Sequence, residues 1–570
     1  MKEDLSILKK LSAVIEFILT IAAFFNLLFL FFSSNLETML PSRWGLKYND
    51  IIVLVLTCNL FLKLVRTKFK LSSIRIVIID VVVLITYPFY RSLIKIFWFY
   101  LVGRQVFNLL KRITSEQNQS KIYKKISDNP AIVFLLSFVL VIMFGTVFLM
   151  LPSATANQGN TSFIDALFTS TSATCVTGLI VHDTGSHFTF LGQIIILGLI
   201  QIGGLGIMTI STAFAIILGQ KLTLRSENIM QDVVGESNKV QMFQLIKNIF
   251  FVTVVFEMIG AIPLYFVFDH DLFSAVFHSI SAFCNAGFSL YSNSFENFYG
   301  NWILNLTVML LIIFGGIGFT VISDLKRIIS SKKLGFKRLS LHSKIAIITT
   351  FILIAIGFIL YFISEFNYTM EHFSFKDRFL SSLFQSVTTR TAGFNTIDNS
   401  NLSYPSVFIT WILMFIGASP GSTGGGIKTT TLAVIVLSIV SIIKGRTDVI
   451  AYNKKIPEIT TRKVMALIAV SLLVLFLMIF LLLEFGLDNN SAGQENFGKF
   501  QEIVFEAFSA FGTVGLSMGI TSNLSIIGKI IIIILMYLGR VGPLTFIFAL
   551  SAQKSVSRAF SFSEERITVG

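Results

Sequence analysis

Long apolar stretches recur along the chain and predict helices that cross a membrane. Five of them contain no charged residue: Ala131–Leu151, Phe188–Leu218, Asn301–Ser323, Ile345–Ser364 and Val464–Leu483. A helix needs about 20 such residues to span the hydrocarbon core of a bilayer. The pattern excludes a soluble core of this length and predicts an all-α polytopic membrane protein.

The first 126 residues are also apolar and predict additional membrane helices. Spans are expected at Leu11–Ser33 and Ile51–Leu64, followed by an apolar stretch, Ile76–Tyr90, that contains Asp80. Leu11–Ser33 is too long for the core of a cleavable signal peptide, so we take it as the first membrane helix. Two interpretations stay open: four spans that weakly resemble a voltage-sensor unit, or two spans with interfacial helices.

A short sequence pattern occurs four times, at intervals of 109, 106 and 122 residues between its glycines. The copies are SATCVTGL at 172–179, SAFCNAGF at 281–288, TTRTAGF at 388–394 and SAFGTVGL at 509–516. A regular internal repeat indicates one structural unit used several times. The predicted organisation is therefore an N-terminal membrane region, 1–126, followed by pore repeats 127–225, 226–335, 336–450 and 451–570.

Each glycine is flanked by the same order of predicted elements. A full-length apolar helix comes first, then a helix too short to span, then the glycine loop and a second long apolar segment. The short helices are expected at Phe163–Thr174, Leu272–Phe283, Arg378–Thr389 and Phe500–Phe511. A phenylalanine precedes the glycine by ten residues in three copies but by nine in the third, which indicates a one-residue deletion and leaves the position of Arg390 open.

The glycine loops would place irregular backbone inside the membrane, which is tolerated only where it lines an aqueous path or is buried in protein. Glycine allows the left-handed backbone angles that turn successive carbonyls inward. Four such loops around one axis form rings of oxygens that can replace a cation's water shell. Close helix packing alone is the alternative use of such glycines. The predicted selectivity-filter residues are Val176, Thr177, Gly178, Asn285, Ala286, Gly287, Thr391, Ala392, Gly393, Thr513, Val514 and Gly515.

The inner helix of the third repeat contains a segment, IGASPGSTGGGIKTTT at 416–431, whose proline and glycines do not fit an unbroken helix. We expect two half-helices joined by an irregular loop beneath the filter. The segment also resembles a phosphate-binding G-x-x-x-x-G-K-[ST] motif, but Ile427 intervenes before Lys428 and no strand precedes the loop, so the context rejects nucleotide binding. The predicted gate residues are Ala418, Ser419, Pro420, Gly421, Ser422, Thr423, Gly424, Gly425, Gly426, Lys428 and Arg540.

Arg540 is a full charge inside the last apolar segment, between Ile530–Gly539 and Val541–Ala552. Charged residues within a membrane are costly and usually face a bundle interior or a cavity. The alternative is an arginine near a helix end whose side chain reaches the interface. Because apolar residues flank Arg540 on both sides, the interior position is favoured.

The distribution of charge orients the predicted spans. The chain is 54% hydrophobic and only 13% charged, with a formal net charge of +14. The loops 220–247, 324–344 and 444–463 hold 17 Lys or Arg residues, whereas the alternate segments 152–187, 269–300, 365–403 and 484–529 hold 5. This positive-inside bias explains the net positive charge of the chain without a nucleic-acid partner, and the basic loops are expected to contact anionic lipid.

The alternate segments together hold 14 Asp or Glu residues. These acids either form an acidic mouth that concentrates cations or are simply the polar residues of outer loops.

Other chemistry is sparse in this sequence. The three cysteines, Cys58, Cys175 and Cys284, have neither disulfide nor metal spacing. The histidines near the outer face, which are His182, His187, His270 and His278, are expected to be interfacial residues rather than ligands. An intramembrane enzyme would need a nucleophile and base on facing spans or a metal cluster, and Glu257 is an isolated acid, so we predict no enzymatic activity and no cofactor. A purely structural or sensor subunit is disfavoured by the four intact glycine loops.

The four glycine loops and the PGSTGGGIKTT break together resemble the potassium-translocating subunit of the Trk/Ktr/HKT superfamily of cation transporters over residues 131–570. The resemblance implies a pore of four quasi-equivalent repeats with Gly178, Gly287, Gly393 and Gly515 as filter glycines. It also implies a gate at 418–428 with Arg540 close to it.

The same resemblance implies a function and partners. It implies potassium uptake across the bacterial cytoplasmic (inner) membrane, by channel-like flux or symport, in a homodimer that pairs with a cytosolic nucleotide-binding ring subunit. The alternative is a sodium-permeable or sodium-coupled transporter of the same architecture. Sodium-preferring members resemble this pattern with serine in the first loop, whereas all four positions here are glycine.

Overall fold

The computed structural model describes residues 130–156, 161–206, 239–330, 336–446, 448–487 and 496–542, together with Leu19, Asp50 and residues 53–58. Regular structure in these ranges is helical apart from one antiparallel hairpin, Ile450–Ala451 (β1) with Lys454–Lys455 (β2). The spans expected in 1–126, and the choice between two and four of them, otherwise lie outside the described residues.

The described helices follow one another in a recurring order of long, short and long. In the first half of the chain they are Pro130–Leu149 (α1), Phe163–Cys175 (α2), Thr184–His187 (α3), Phe190–Leu205 (α4), Lys239–Val267 (α5), Leu272–Phe283 (α6), Trp302–Gly316 (α7) and Phe319–Ser330 (α8). In the second half they are Leu341–Glu365 (α9), Phe375–Thr388 (α10), Tyr404–Phe415 (α11), Thr429–Ile443 (α12), Glu458–Phe485 (α13), Asn496–Gly512 (α14) and Ile526–Val541 (α15).

Helices α1, α5, α9 and α13 are the outer helices of the four repeats, and each packs on the short helix that follows it, α2, α6, α10 or α14. Three outer helices are long and apolar enough to cross a membrane by themselves: Asn248–Val267, Leu341–Glu365 and Glu458–Phe485. Their exposed faces carry large apolar side chains such as Phe251, Phe351 and Phe476, as expected for helices that face lipid.

The inner helices close the repeats into a ring. Each inner helix contacts the short helix of the next repeat: α4 contacts α6, α7 contacts α10, α11 contacts α14, and α15 returns to contact α2. The contact between α15 and α2 joins the last repeat to the first. Because the series closes on itself, the four loops that follow the short helices converge on one axis.

Polar caps explain where the short and inner helices begin. The side chain of Ser162 accepts a hydrogen bond from the Asp165 backbone N–H at the start of α2, and Ser374 does the same for Asp377 at the start of α10. Asn301 caps α7 in this way. Such caps satisfy backbone donors that have no partner inside the helix and are each worth about 1 kcal/mol.

The helix boundaries differ from the expected ones mainly in the third and fourth repeats. Helix α6 has the expected bounds, whereas α10 begins three residues earlier than Arg378 because Ser374 provides its cap. The third inner helix is broken between α11 and α12, as expected. Sequence reasoning missed that the second is also broken: α7 and the helix that follows it meet at 96°.

Glycines with positive φ angles follow the described ends of the first, second and fourth inner helices. Gly318 between α7 and α8 has φ of +99°, Gly206 at the end of α4 has +82°, and Gly542 at the end of α15 has +90°. These angles are inexpensive only for glycine. In the second repeat two residues separate α7 from α8, whereas residues 416–428 separate α11 from α12 in the third.

Candidate ion pathway

The four repeat glycines form a closed ring of backbone-to-backbone approaches. A Cβ built on Gly178 would lie 3.0 Å from the Cα of Gly287, and one on Gly287 would lie 2.9 Å from the Cα of Gly393. A Cβ on Gly393 would lie 3.2 Å from the Cα of Gly515, and one on Gly515 would lie 2.9 Å from the Cα of Gly178. No side chain fits at these positions, so glycine is required for the loops to meet.

Backbone angles repeat around this ring. The glycines have φ of +97°, +71°, +81° and +93° in chain order. Two residues before each of them stands a non-glycine residue that also has positive φ: Val176, Asn285, Thr391 and Thr513, at +58°, +59°, +75° and +50°. Residues with positive φ are uncommon outside glycine and accumulate at functional sites. Alternation of left-handed and ordinary conformations turns neighbouring carbonyls to the same side of the chain, which is the backbone form a carbonyl-lined filter needs.

A hydroxyl group near the end of each short helix holds the loop in this conformation. Ser172 and Ser509 accept hydrogen bonds from the backbone N–H groups of Gly178 and Gly515, each at 3.1 Å. In the other two repeats the hydroxyl donates instead, from Ser281 to the Phe288 carbonyl at 2.8 Å and from Thr388 to the Phe394 carbonyl at 2.6 Å.

The third loop is one residue shorter than the others, and the structure locates the deletion. In three loops a backbone N–H, that of Thr177, Ala286 or Val514, donates to the carbonyl of the residue five positions earlier. In the third loop the Ala392 N–H donates to the carbonyl of Thr388, which is only four positions earlier. The deletion therefore lies between Thr388 and Thr391.

The structure also locates Arg390, whose position the deletion had left open. Its guanidinium lies beside α9, 3.3 Å from the Thr350 carbonyl and 3.5 Å from the Thr350 hydroxyl. Its side chain therefore points to the outer helix of its own repeat rather than into the ring.

A second recurring contact, not recognised from the sequence, fastens short helices to outer helices. The hydroxyls of Ser170, Ser279 and Ser386 donate to the carbonyls of Ile142, Glu257 and Ile354 at 2.7, 2.6 and 2.8 Å. Three residues after each of these carbonyls stands a glycine: Gly145, Gly260 or Gly357. The fourth repeat has Ala507 at the position of the serines. The sequence signal was a serine at a shared distance before the filter glycine, eight residues in the first two repeats and seven in the shortened third.

Gly357→Ala is expected to destabilise the protein by about 1–3 kcal/mol, because overpacking of a dense interior carries such a cost. A Cβ at Gly357 would lie 2.4 Å from the Ser386 hydroxyl. Adding Ser386→Ala removes that oxygen and reproduces the alanine of the fourth repeat, so the double variant should recover part of the loss. Thermal unfolding midpoints in one detergent would measure both effects. A double variant no more stable than Gly357→Ala would contradict this account.

The loop between α11 and α12 begins and ends at nearly the same place, because its two ends are hydrogen-bonded to each other. We call this pair of ends, Gly417 and Ile427, the neck of the loop. The Gly417 N–H donates to the Ile427 carbonyl at 2.8 Å, and the Ile427 N–H donates to the Phe415 carbonyl at 3.3 Å. The neck holds the two half-helices together while the intervening residues leave the helical path. Compact loops with close ends are stabilised largely by their own contacts and are frequently functional.

The tip of this loop lies directly against the glycine ring. A Cβ on Gly424 would lie 2.1 Å from the hydroxyl of Thr391, and one on Gly425 would lie 2.3 Å from that of Thr513. The Thr423 hydroxyl donates to the Phe283 carbonyl, at the end of α6, at 3.2 Å. The loop therefore touches the filter segments of three repeats.

Two cations hold the loop. Arg540 in α15 donates to the carbonyl of Thr423 and to the carbonyl of Gly203 in α4. Lys428 Nζ donates to the carbonyls of Gly424 and Gly425 at 2.8 and 3.3 Å. The guanidinium thus faces the bundle interior, as the sequence favoured, and joins a carbonyl of the loop to a carbonyl near the end of α4.

Two polar residues differ from their sequence expectations. His278, expected at the interface, is completely buried in α6. Glu257, expected to be isolated, accepts a hydrogen bond from Gln201 Nε2 at 3.3 Å, and Cys284 Sγ lies 4.0 Å from its carboxylate. No signal in the sequence placed α4 and α6 beside Glu257. No group of three or more potential metal ligands occurs among the described residues.

Carboxylates also gather at the outer loops of the second and third repeats. Asn395 Nδ2 donates to Glu296 Oε1 at 2.6 Å. Burial raises the pKa of Glu296, and the charge of nearby Asp398 raises it further. The two carboxylates are thus close enough to interact.

The fold and this site define a multi-pass membrane protein with a fourfold arrangement of short helices around a shared axis. Residues 106–559 match the family described as the cation transport protein TrkH, and the chain belongs to that family.

Two relatives match most of this chain. It is 40% identical to the Ktr system potassium uptake protein B of Bacillus subtilis over 439 residues, which is 76% of this chain and 95% of that protein. It is 37% identical to the potassium/sodium uptake protein NtpJ of Enterococcus hirae over 460 residues, 79% of this chain and 99% of that protein.

The fold is also similar to a crystal structure. The potassium transporter TrkH of Vibrio parahaemolyticus matches with a TM-score of 0.62 at 19% identity, over 82% of this chain and 94% of that one. At this identity the match establishes the all-α membrane fold alone.

Proposed function

We propose that this chain takes up potassium across the bacterial cytoplasmic membrane through a filter formed by the four glycine loops. The ring of Gly178, Gly287, Gly393 and Gly515 carries the proposal, because four backbones with positive φ meet where no side chain fits. Carbonyls arranged in this way can substitute for the hydration shell of a monovalent cation. The names of the Ktr and Trk relatives, which are potassium uptake proteins, support potassium as the ion.

The loop from Ala418 to Lys428 is proposed to be the gate. It lies against the filter segments and is held by hydrogen bonds that Arg540 and Lys428 donate to its carbonyls. Its glycines leave the backbone several conformations at low cost, and its proline removes a helical hydrogen-bond donor. A segment that is adjacent to the pathway and held there by a small set of hydrogen bonds suits a moving element.

The assembly is proposed to be a homodimer in contact with lipid, regulated by a cytosolic nucleotide-binding ring subunit. The proposal rests on the family and on the basic loops, which face the cytoplasm in the predicted orientation. This chain provides the permeation path, and nucleotide binding belongs to the separate subunit.

Purified protein in vesicles is expected to accumulate ⁸⁶Rb⁺ above empty vesicles when an outward potassium gradient drives exchange. The reason is that rubidium resembles potassium in size and charge and passes the same carbonyl rings. No uptake above empty vesicles, with or without a cytosolic partner, would contradict the proposed function.

Sodium permeation is the alternative, and it has its own support in the 37% identity to a protein named for potassium and sodium uptake. Competition against ⁸⁶Rb⁺ uptake separates the two. Potassium should compete at much lower concentration than sodium if the all-glycine filter selects potassium. Equal competition by sodium would favour the alternative, and dependence of rubidium uptake on sodium would indicate coupling.

A further inference from the structure

Each short helix carries a buried polar residue directly after its buried phenylalanine. The four phenylalanines, Phe168, Phe277, Phe384 and Phe505, are all fully buried. The polar residues that follow them are Thr169, His278, Gln385 and Glu506, and none is more than 1% exposed. We call these four residues the polar ring. Its members occupy one quasi-equivalent position but differ in chemistry.

In the second repeat the polar ring holds the segment after the filter glycine with a neutral group. His278 Nδ1 lies 2.7 Å from the Ser274 carbonyl, so Nδ1 carries the hydrogen. Its Nε2 accepts the Leu290 backbone N–H at 3.2 Å, which requires a free lone pair. His278 is therefore a neutral acceptor that fixes a residue three positions beyond Gly287.

The first and third repeats also use neutral groups. Gln385 Nε2 donates to the side-chain carbonyl of Asn399 at 3.0 Å, and Asn399 is itself buried six residues after Gly393. The Thr169 hydroxyl has no hydrogen-bond partner within the described part of the chain. Neither residue adds charge to the ring.

The fourth repeat differs because its member is an acid. Glu506 accepts one hydrogen bond from the Ser517 hydroxyl at 2.8 Å and another from the Thr521 hydroxyl, one to each carboxylate oxygen. The ionised form of the carboxylate, which only accepts, can receive a hydrogen from each hydroxyl. Ser517 stands two residues after Gly515, and its oxygen also receives the Gly519 N–H at 3.0 Å.

Among the residues that the structure describes, no cation on the neighbouring helices pairs with this carboxylate. Glu502 lies one turn earlier on α14 and is half-buried, and Glu484 of α13 is exposed. On α15, Lys529 is engaged by Asp165 at 2.7 Å. A buried acid held only by neutral donors acts over a longer distance than an exposed one, because less solvent screens it.

We propose that Glu506 is a positioning residue that holds the outer end of the fourth filter loop and supplies a negative charge that sets its affinity for cations. This inference rests on the proposed function. The neutral members, His278 and Gln385, hold their segments in the same way without charge. A negative charge behind a narrow mouth with low-dielectric walls raises the local concentration of cations.

The test is the concentration dependence of ⁸⁶Rb⁺ uptake by the full chain in vesicles. Glu506→Gln keeps the shape and a hydrogen bond to the two hydroxyls but removes the charge. We expect the apparent KM for rubidium to rise about three- to tenfold while maximal uptake stays within about twofold. If Glu506 has a purely structural role, the maximal uptake should fall because less protein is active, and the KM should stay unchanged.

Two further variants make the result decisive. Glu502→Gln removes an equal charge one turn away and should change KM less, because that residue is partly exposed and has no hydrogen bond to the described part of the loop. Gln385→Glu places a second carboxylate in the polar ring and should lower the apparent KM. This second variant decides the question if Glu506→Gln does not fold.

The outcomes separate this inference from the proposed function. If the unchanged protein shows no rubidium uptake, the proposed function fails first. If the unchanged protein transports rubidium and Glu506→Gln has the same KM within about twofold, the charge of the polar ring does not set cation affinity. If Glu506→Gln does not fold, a KM of Gln385→Glu that fails to fall leads to the same conclusion.

Discussion

Gly178→Ser is expected to reduce the preference for potassium over sodium by about tenfold or more. Gly178 has φ of +97°, where an L-residue is strained by roughly 1–2 kcal/mol. A Cβ there would also lie 2.5 Å from the Ala286 carbonyl oxygen, too close for both to keep their positions. The first two filter loops must therefore move apart, and a change of about 1.4 kcal/mol in the relative free energy of two ions is already a factor of ten.

The measurement is the ratio of potassium to sodium concentrations that halve ⁸⁶Rb⁺ uptake, at matched amounts of inserted protein. Gly198→Ser is a suitable control, because Gly198 lies on α4 close in sequence and a Cβ there meets nothing within 4 Å. The control should keep the ratio of the unchanged protein. An unaltered ratio in Gly178→Ser would remove the first loop from the selectivity filter.

Much of the architecture could be predicted because membrane helices and repeats leave strong local signals. Charge-free stretches identified α9 and α13, and the recurrence of a glycine after a short apolar helix identified α2, α6, α10 and α14. The break between α11 and α12 was also predictable, since proline and clustered glycines do not fit a helix.

What the sequence did not predict depends on packing between repeats. The bend at Gly318 looks like any other glycine in an apolar segment until its φ of +99° is known. Burial of His278 and contact of Glu257 with Gln201 depend on which helices become neighbours, and no periodicity in one segment carries that information. The polar ring was missed for the same reason: its four members differ in chemistry, and only their shared place after a buried phenylalanine relates them.

Loosening the loop beneath the filter is expected to raise rubidium flux rather than abolish it. Arg540 joins two separate elements, because it donates both to the Thr423 carbonyl in the loop and to the Gly203 carbonyl in α4. Hydrogen bonds that involve a charged partner are worth about 1.5–3 kcal/mol each. If only one of them is lost when the loop moves aside, Arg540→Ala shifts the equilibrium toward the open arrangement by about tenfold or more.

Deletion of Gly424–Gly426 removes the part of the loop that lies against Thr391 and Thr513 while it keeps the neck at Gly417 and Ile427. Flux should rise further in this variant than in Arg540→Ala, since the obstruction itself is shortened. Initial rates of ⁸⁶Rb⁺ uptake at matched insertion, with thermal unfolding as a check on the fold, measure both effects. A well-folded deletion variant with unchanged or lower flux would show that the loop only accommodates packing, and that the barrier to permeation lies elsewhere on the path.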